Sequence, residues 1–336
     1  MIYLDNAATT LEKPRSVARA VKSAMKSCAN AGRSGHAAAM RAADVMYDCR
    51  VAAAELFGAE NPEQVVFTLN ATHALNIAIN ALVKDGGHCV TSGYEHNSVM
   101  RPLTARGAKI SVARSALFDA KDTLRAFDDA IRTDTCCVVC THVSNVFGYI
   151  MPIHEIDALC AKRGVPLIID ASQSAGVLPV RMCDFAAVKF ICLPGHKSLY
   201  GPQGTGLLIC RDGEYKTLMQ GGTGSESKSM SQPEFLPDRF ESGTQNVHGI
   251  AGLSAGISFV LKKRARIYMK ERKLLRAARK ELAAIPGITI YAGAEQTGVL
   301  SFTVIGCSSD FLAQELGMRG IAVRGKVLVQ QAVQCV

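Results

Sequence analysis

Residues 190–206 read FICLPGHKSLYGPQGTG: an apolar run, then His196 and Lys197, then a string of turn formers that closes on Gly206. Lysine is almost never fully buried without a partner, yet this one follows directly on a stretch with the composition of a core strand. A lysine so placed belongs to a phosphate loop, condenses with a carbonyl group, or lies at the surface in a turn. The spelling LPGHKS puts histidine between glycine and lysine, which excludes the nucleotide phosphate loop G-x-x-x-x-G-K-[ST]. The G-x-G-x-x-G dinucleotide fingerprint is also missing after the early strands.

The same design recurs upstream. From about residue 65 to 210, short apolar runs alternate with helical stretches, the pattern of parallel β-α-β units. QVVFTLN leads into Ala71 and Thr72, GHCVTSGYEHN contains His96, and CCVVCTHVSN ends at Asn145. VPLIID ends at Asp170 with Gln173 three residues later, and AVKFICLPGH delivers Lys197. Open α/β sheets bind ligands outside the carboxyl ends of their strands. If the five runs are neighbouring strands, these residues converge on one crevice. Singly each has a plainer reading: Thr72 and Asp170 as caps, Asn145 as a turn former before Gly148, His96 as a structural histidine. Jointly, and in this order, a purely structural reading is harder to sustain.

Bulk properties bound the rest. A chain of 336 residues can bury a large core and carry two domains. The N-terminus MIYLDNAATT lacks the basic and apolar regions of a signal peptide, and the longest nearly apolar run, AGLSAGISFVL, is too short to span a bilayer. The expectation is a soluble, cytoplasmic protein without membrane contact. Twelve cysteines are scattered through apolar segments, which reads as reduced, buried thiols. The C-x-x-C of Cys137 and Cys140 lies in a strand-like segment that sends the two side chains to opposite faces, so no metal is expected. The net charge of +9 maps onto residues 262–280, with ten basic residues and one acid. Ile267, Leu274, Ala278, Leu282 and Ile285 recur there at helical spacing, which predicts one amphipathic helix with a solvated basic face rather than a nucleic-acid site.

Thr72 opens THALNIAINAL, with Leu75, Ala78, Ile79 and Leu82 on one helical face, and a helix N-terminus is a natural phosphate seat. The constellation therefore asks for a phosphate, a planar ring beside His96, a partner for the Asp170 carboxylate and a carbonyl for an amine. Pyridoxal 5'-phosphate uses all four.

At this point the chain resembles the cysteine desulfurases of the class V aminotransferase group. The resemblance is carried by YLDNAATT, SGHAAAMRAADVMYDCRVAAAELFGAE, EHNS, VSNVFG, DASQSAG, GHKSLYGPQGTG and RFESGTQNVHGIAGLSAGI, in collinear order from residue 2 to about 325. It implies the α/β fold-type I architecture: a large domain with a mainly parallel seven-stranded sheet over residues 13–250, and a small α/β domain after a long helix, over 251–336. Residues 1–12 would fold back near the cleft. It implies that Lys197 links covalently to the cofactor, Asp170 pairs with the ring nitrogen, and His96 stacks on the ring and relays a proton. Gln173 and Asn145 would reach the ring oxygen, with Asn145 also near the substrate carboxylate. Ala71, Thr72 and His196 would hold the phosphate, and Thr244, in ESGT, would reach it from the other subunit of a homodimer. Pro194 stands where the family has a small or hydroxylated residue, which removes a potential phosphate contact.

The implied activity is conversion of L-cysteine to L-alanine, with sulfur passed to an enzyme thiol or a sulfur-acceptor protein for sulfur-containing cofactors or iron–sulfur clusters. The family's attacking cysteine follows an Arg-x-Gly element, matched here by GIAVRG with Arg324, also a candidate for the substrate carboxylate. The match then breaks into KVLVQQAVQCV, whose Cys335 is the remaining candidate nucleophile, and the abrupt change reads as a truncated or altered C-terminus. Two alternatives stay open: a related lyase or transaminase that needs no thiol, such as one acting on selenocysteine, or a catalytically impaired pyridoxal-phosphate-binding dimer.

Overall fold

The computed structural model describes residues 1–32, 34–226 and 228–325. Elements run in the order β1 (Ile2–Tyr3), α1 (Arg15–Ser27), α2 (Ala37–Phe57), β2 (Val65–Thr68), α3 (Ala71–Leu82), β3 (His88–Ser92) and α4 (Asn97–Ala105). Then follow β4 (Lys109–Ala113), α5 (Ala120–Ala130), β5 (Thr135–Thr141), α6 (Ile153–Arg163), β6 (Leu167–Asp170), β7 (Val188–Pro194) and β8 (Gly206–Cys210). The chain continues through α7 (Val247–Ala283), β9 (Ile288–Tyr291), β10 (Ser301–Val304), α8 (Ser309–Met318) and β11 (Ile321–Ala322).

Seven strands form one sheet in the order β2-β8-β7-β6-β5-β3-β4, parallel throughout except for β8, which is antiparallel to both neighbours. All the strands except the edge strand β4 are buried on both faces, and alternate residues feed two apolar layers. Val138 and Cys140 of β5 pack with α2, α6 and α7, whereas Cys137 and Val139 pack with α3 and α4. The two thiols of C-x-x-C therefore diverge as the alternation predicts. Among the described residues no cluster of side chains could hold a metal, and no helix is long and apolar enough to cross a membrane. Not every thiol is buried, however. Cys183 is exposed, and Cys28, Cys136 and Cys307 are half-buried because they lie at element ends or a sheet irregularity.

Strand order decides where a ligand can enter. The chain runs from β3 outward to β4, returns to β5 on the other side of β3, and proceeds to β6 and β7. The direction of winding thus changes between β3 and β5, and a crevice opens at their carboxyl ends. The five apolar runs are not all direct neighbours: β8 intervenes between β2 and β7. Two antiparallel pairings leave β2 parallel to β7, so all five still end at the same edge. The intrusion is tight, since a Cβ at Gly206 would lie 2.8 Å from the Asn70 backbone and the Thr68 hydroxyl.

The long helix differs from its sequence reading. Leu274 and Ile285 are exposed, whereas Leu275 is buried. Arg272 Nη1 donates to the carbonyls of Ala294 (3.4 Å) and Gln296 (3.1 Å), and Arg279 Nη1 donates to that of Gly293 at 3.2 Å. Part of the basic run thus serves the irregular segment before β10, whose backbone oxygens need donors. The smaller elements pair as β9 with β10 and β1 with β11, so the N-terminal strand joins the last described one.

One buried ion pair fixes the segment that carries Thr244. Arg50, on α2, makes a bidentate contact to Glu241 at 2.8 and 2.9 Å and stacks 4.3 Å over the Phe67 ring. Glu241 also accepts the Phe67 N–H at 2.6 Å, which ties the segment to β2. Removing one partner strands the other charge, so Arg50→Ala should lose about 3–5 kcal/mol of unfolding free energy. Urea denaturation of the two proteins measures the difference.

Candidate active site

The crevice at the carboxyl edge brings together Thr72, His96, Asn145, Asp170, Gln173 and Lys197, the six residues that the strand ends nominated. Ala71 and His196 line it too, as does Pro194. Thr244 is exposed and outside the lining of its own chain's crevice, and Cys335 lies outside the described residues. No cysteine lines the crevice among the described residues.

Lys197 follows β7 by three residues, at the start of a tight return to β8. Gly195 N–H donates to Thr205 O at 2.8 Å, and Gly201 N–H donates to Gly195 O at 2.8 Å. Gly176, with φ +91°, abuts this loop; a Cβ there would stand 2.3 Å from the Ser198 carbonyl oxygen. Only glycine allows both that backbone conformation and that approach. The N-terminal segment clamps the loop from the other side. Thr10 donates to the His196 carbonyl through N–H (3.2 Å) and hydroxyl (3.0 Å), and Thr9 Oγ1 lies 3.0 Å from His196 Nδ1.

Among the described residues, the Lys197 amine has no hydrogen-bond or ion-pair partner. Burial lowers its pKa; Asp170 opposes that shift and Arg324 adds to it. Asp170, 2% exposed at the end of β6, accepts the Ser172 N–H at 2.9 Å through Oδ1. The register pairs Asp170 with Cys192 of β7 and with Thr141 of β5. Asp170 therefore stands between the strands that deliver Lys197 and Asn145.

The phosphate side is a helix N-terminus. Asn70, not Thr72, is the N-cap: its side chain accepts the His73 N–H at 2.9 Å. The N–H groups of Ala71 and Thr72 belong to the first turn and have no intrahelical acceptor. Thr72 Oγ1 lies 2.7 Å from Ser98 Oγ, which lies 2.9 Å from His96 Nδ1. Because His96 Nδ1 accepts the Ser98 N–H at 3.1 Å as the cap of α4, the neutral ring carries its proton on Nε2.

Three site features were not read from the sequence. Gln173 Nε2 donates to the Ala7 carbonyl at 3.0 Å, so this side chain also anchors the N-terminal segment. Arg324 stands outside the lining of the crevice and pairs bidentately with Asp5 at 2.8 and 3.0 Å. Glu95, adjacent to His96, accepts from Ser92 Oγ at 2.6 Å and Thr141 N–H at 2.7 Å, while its other oxygen is buried without a partner. Burial raises its pKa to about 8, against those hydrogen bonds and with the help of Asp170. The EHNS string named His96, but neither periodicity nor spacing distinguishes a half-buried glutamate with a buried carboxylate oxygen beside it.

The residues suit pyridoxal phosphate: an unpaired amine for its aldehyde, a buried carboxylate for its ring nitrogen, and free N–H groups at a helix end for its phosphate. Comparison with known proteins identifies the family. The aminotransferase class-V profile matches residues 2–330. The "Probable cysteine desulfurase" of Methanothermobacter thermautotrophicus is 32% identical, over 96% of this chain and 83% of its own. The solved apo cysteine desulfurase of Thermococcus onnurineus NA1 superposes with TM-score 0.85 at 30% identity, covering 96% of this chain and 84% of that one. A cysteine desulfurase structure from Escherichia coli gives TM-score 0.83 at 25% identity, with 96% and 83% covered.

The electrostatics predict two measurements. Reductive methylation of Lys197 should reach half its maximal rate at a pH below the ordinary lysine value of 10.5, because burial favours the neutral amine. For Glu95, a folded-state pKa raised above the unfolded value means that the folded protein holds the extra proton. That contribution to stability is full below about pH 4.5 and is lost as pH rises through about 8. Glu95→Gln, neutral at every pH, should flatten the fall in thermal midpoint across this window.

Proposed function

The chain belongs to the cysteine desulfurase family within the class-V aminotransferases, and on that premise we propose that it converts L-cysteine to L-alanine with pyridoxal phosphate as cofactor. The observation that carries the reading is the Lys197 amine, desolvated and unpartnered beside Asp170 at the carboxyl edge of the sheet. When bound, pyridoxal phosphate supplies an electron sink that makes the bonds at the substrate's Cα and Cβ labile.

This chain's residues supply the rest. Lys197 would hold the cofactor through its neutral amine, and the same nitrogen would move a proton to or from the substrate's Cα. Asp170 keeps the ring nitrogen protonated, a carboxylate task that its burial strengthens. Ala71 and Thr72 offer N–H groups to the phosphate, His196 borders it, and Thr244 serves the other subunit of a homodimer. Asn145 and Gln173 orient the ring oxygen. His96 covers the ring and, through Nε2, exchanges a proton with the substrate. Arg324 receives the substrate carboxylate in exchange for Asp5. The net change breaks the Cβ–S bond, places hydrogen on Cβ, and joins the sulfur to a thiol as a persulfide.

The lining of the crevice favours a second route for the sulfur. Since no described cysteine lines it, the accepting thiol is that of Cys335 or of an external acceptor, and a lyase reaction that dispenses with an enzyme thiol is the second reading. The test is alanine release from L-cysteine by the pyridoxal-phosphate-loaded protein with dithiothreitol present. Lys197→Ala should abolish both the long-wavelength cofactor absorbance and alanine formation, a loss of at least ~10³-fold. Wild-type protein that takes up no cofactor would overturn the reading. Cys335→Ser then separates the routes: loss of activity without loss of the cofactor band assigns the thiol to Cys335, and full activity assigns it elsewhere.

A further inference from the structure

At the opposite, amino-terminal edge of the sheet, two thiols face each other across neighbouring strands. Cys89 of β3 and Cys136 of β5 lie with their Sγ atoms 3.7 Å apart. The arrangement follows from an irregularity in the register. His88 pairs with Thr135 but Cys89 pairs with Cys137, so Cys136 is the extra residue of a bulge, opposite Cys89. Both thiols belong to the apolar layer under α3 and α4; Cys89 is fully buried and Cys136 half-buried. Gly87 adjoins the outer thiol, since a Cβ there would press to 3.0 Å from Cys136 Sγ. Neighbouring strands are about 4.7–4.9 Å apart, within the span of roughly 4.4–6.8 Å that a disulfide bridges between Cα atoms.

We propose that Cys89 and Cys136 form a reversible disulfide site whose oxidant is a low-molecular-weight disulfide. The Cys136 thiolate attacks one sulfur of the disulfide RSSR, its S–S bond breaks, and RS⁻ leaves as Cys136 enters a mixed disulfide. Cys89 then attacks Cys136 Sγ, the mixed disulfide breaks, and the second RS⁻ leaves. The protein pair gives up two electrons and two protons, and RSSR becomes two RSH. Two features assign the order of attack. Cys136 is the thiol that solvent reaches, and its contact with Cys89 holds its pKa down against burial, aided by nearby backbone groups and Lys84. The same contact, with burial, raises the pKa of Cys89; its charge component disappears once Cys136 carries the mixed disulfide. Lys84 also favours a disulfide that bears carboxylates. A bridge between adjacent strands of one sheet is a constrained geometry, which makes it readily reduced again. The site owes nothing to the cofactor crevice and stands or falls apart from it.

The test uses the reduced, folded full-length protein and oxidised glutathione, followed by peptide mapping without reduction. Expected is a Cys89–Cys136 linked peptide that dithiothreitol removes, while exposed Cys183 keeps a glutathione. Cys136→Ser should eliminate the link, and Cys89→Ser should leave one glutathione trapped on Cys136. If Cys89→Ser fails to fold by circular dichroism, the wild type and Cys136→Ser decide alone. Modification of Cys183 with Cys89 and Cys136 still reduced, or a lasting glutathione on Cys136 of the wild type, would overturn the proposal.

Discussion

Withdrawing a lysine amine from water without pairing it is the constraint around which this fold is arranged. An ammonium in such a place is expensive, and the cheapest response is to release the proton. Lys197 is held there by its backbone: the return to β8 on one side, the Gly176 turn on another, and the two threonines of the N-terminal segment over its carbonyl neighbours. Asp170 pulls the other way, since a carboxylate nearby favours the ammonium. Burial prevails, so this amine gives up its proton more readily than an ordinary lysine does.

The sequence exposed this arrangement because parallel strands punctuate themselves. Each apolar run ended in a polar residue that no core strand needs, and the endings at Asn145, Asp170 and Lys197 fell on adjacent strands in the structure. Thr72, His96 and Gln173, nominated in the same way, line the same crevice, and so do Ala71 and His196, which the resemblance added. Less legible was everything that depends on contacts distant in sequence. The insertion of β8 between β2 and β7 leaves no trace in local periodicity, because an antiparallel strand buried on both faces reads like a parallel one. The inward turn of Arg272 and Arg279 was hidden for a related reason: a guanidinium that satisfies backbone carbonyls looks, in sequence, like any other charge on a solvated face. Glu95 and the Arg50–Glu241 pair are the extreme case, as buried carboxylates are rare and only their partners explain them.

The N-terminal segment deserves to be counted with the site rather than with the chain ends. Residues 2–3 pair with 321–322, Ala7 receives Gln173, and Thr9 and Thr10 hold the lysine loop, so one short stretch touches every part that must stay in register. Its ion pair among the described residues, Asp5 with Arg324, is half open to solvent on the arginine side. Pairs so exposed contribute at most about 1 kcal/mol, far less than the buried Arg50–Glu241 contact.

That weakness has a use in the proposed reaction. Arg324 acts electrostatically on Lys197, so it is close enough for its charge to matter at the amine, yet Asp5 occupies its guanidinium. A substrate carboxylate entering the crevice offers the same bidentate geometry as Asp5. Replacing one carboxylate by another costs little when the first pair is worth little. The exchange would also loosen the N-terminal segment from β11, since the same pair backs the two-residue pairing of β1. In the proposed reaction such an exchange would couple substrate binding to the clamp over Lys197 through a single guanidinium, which a strongly buried ion pair in the same place would not allow.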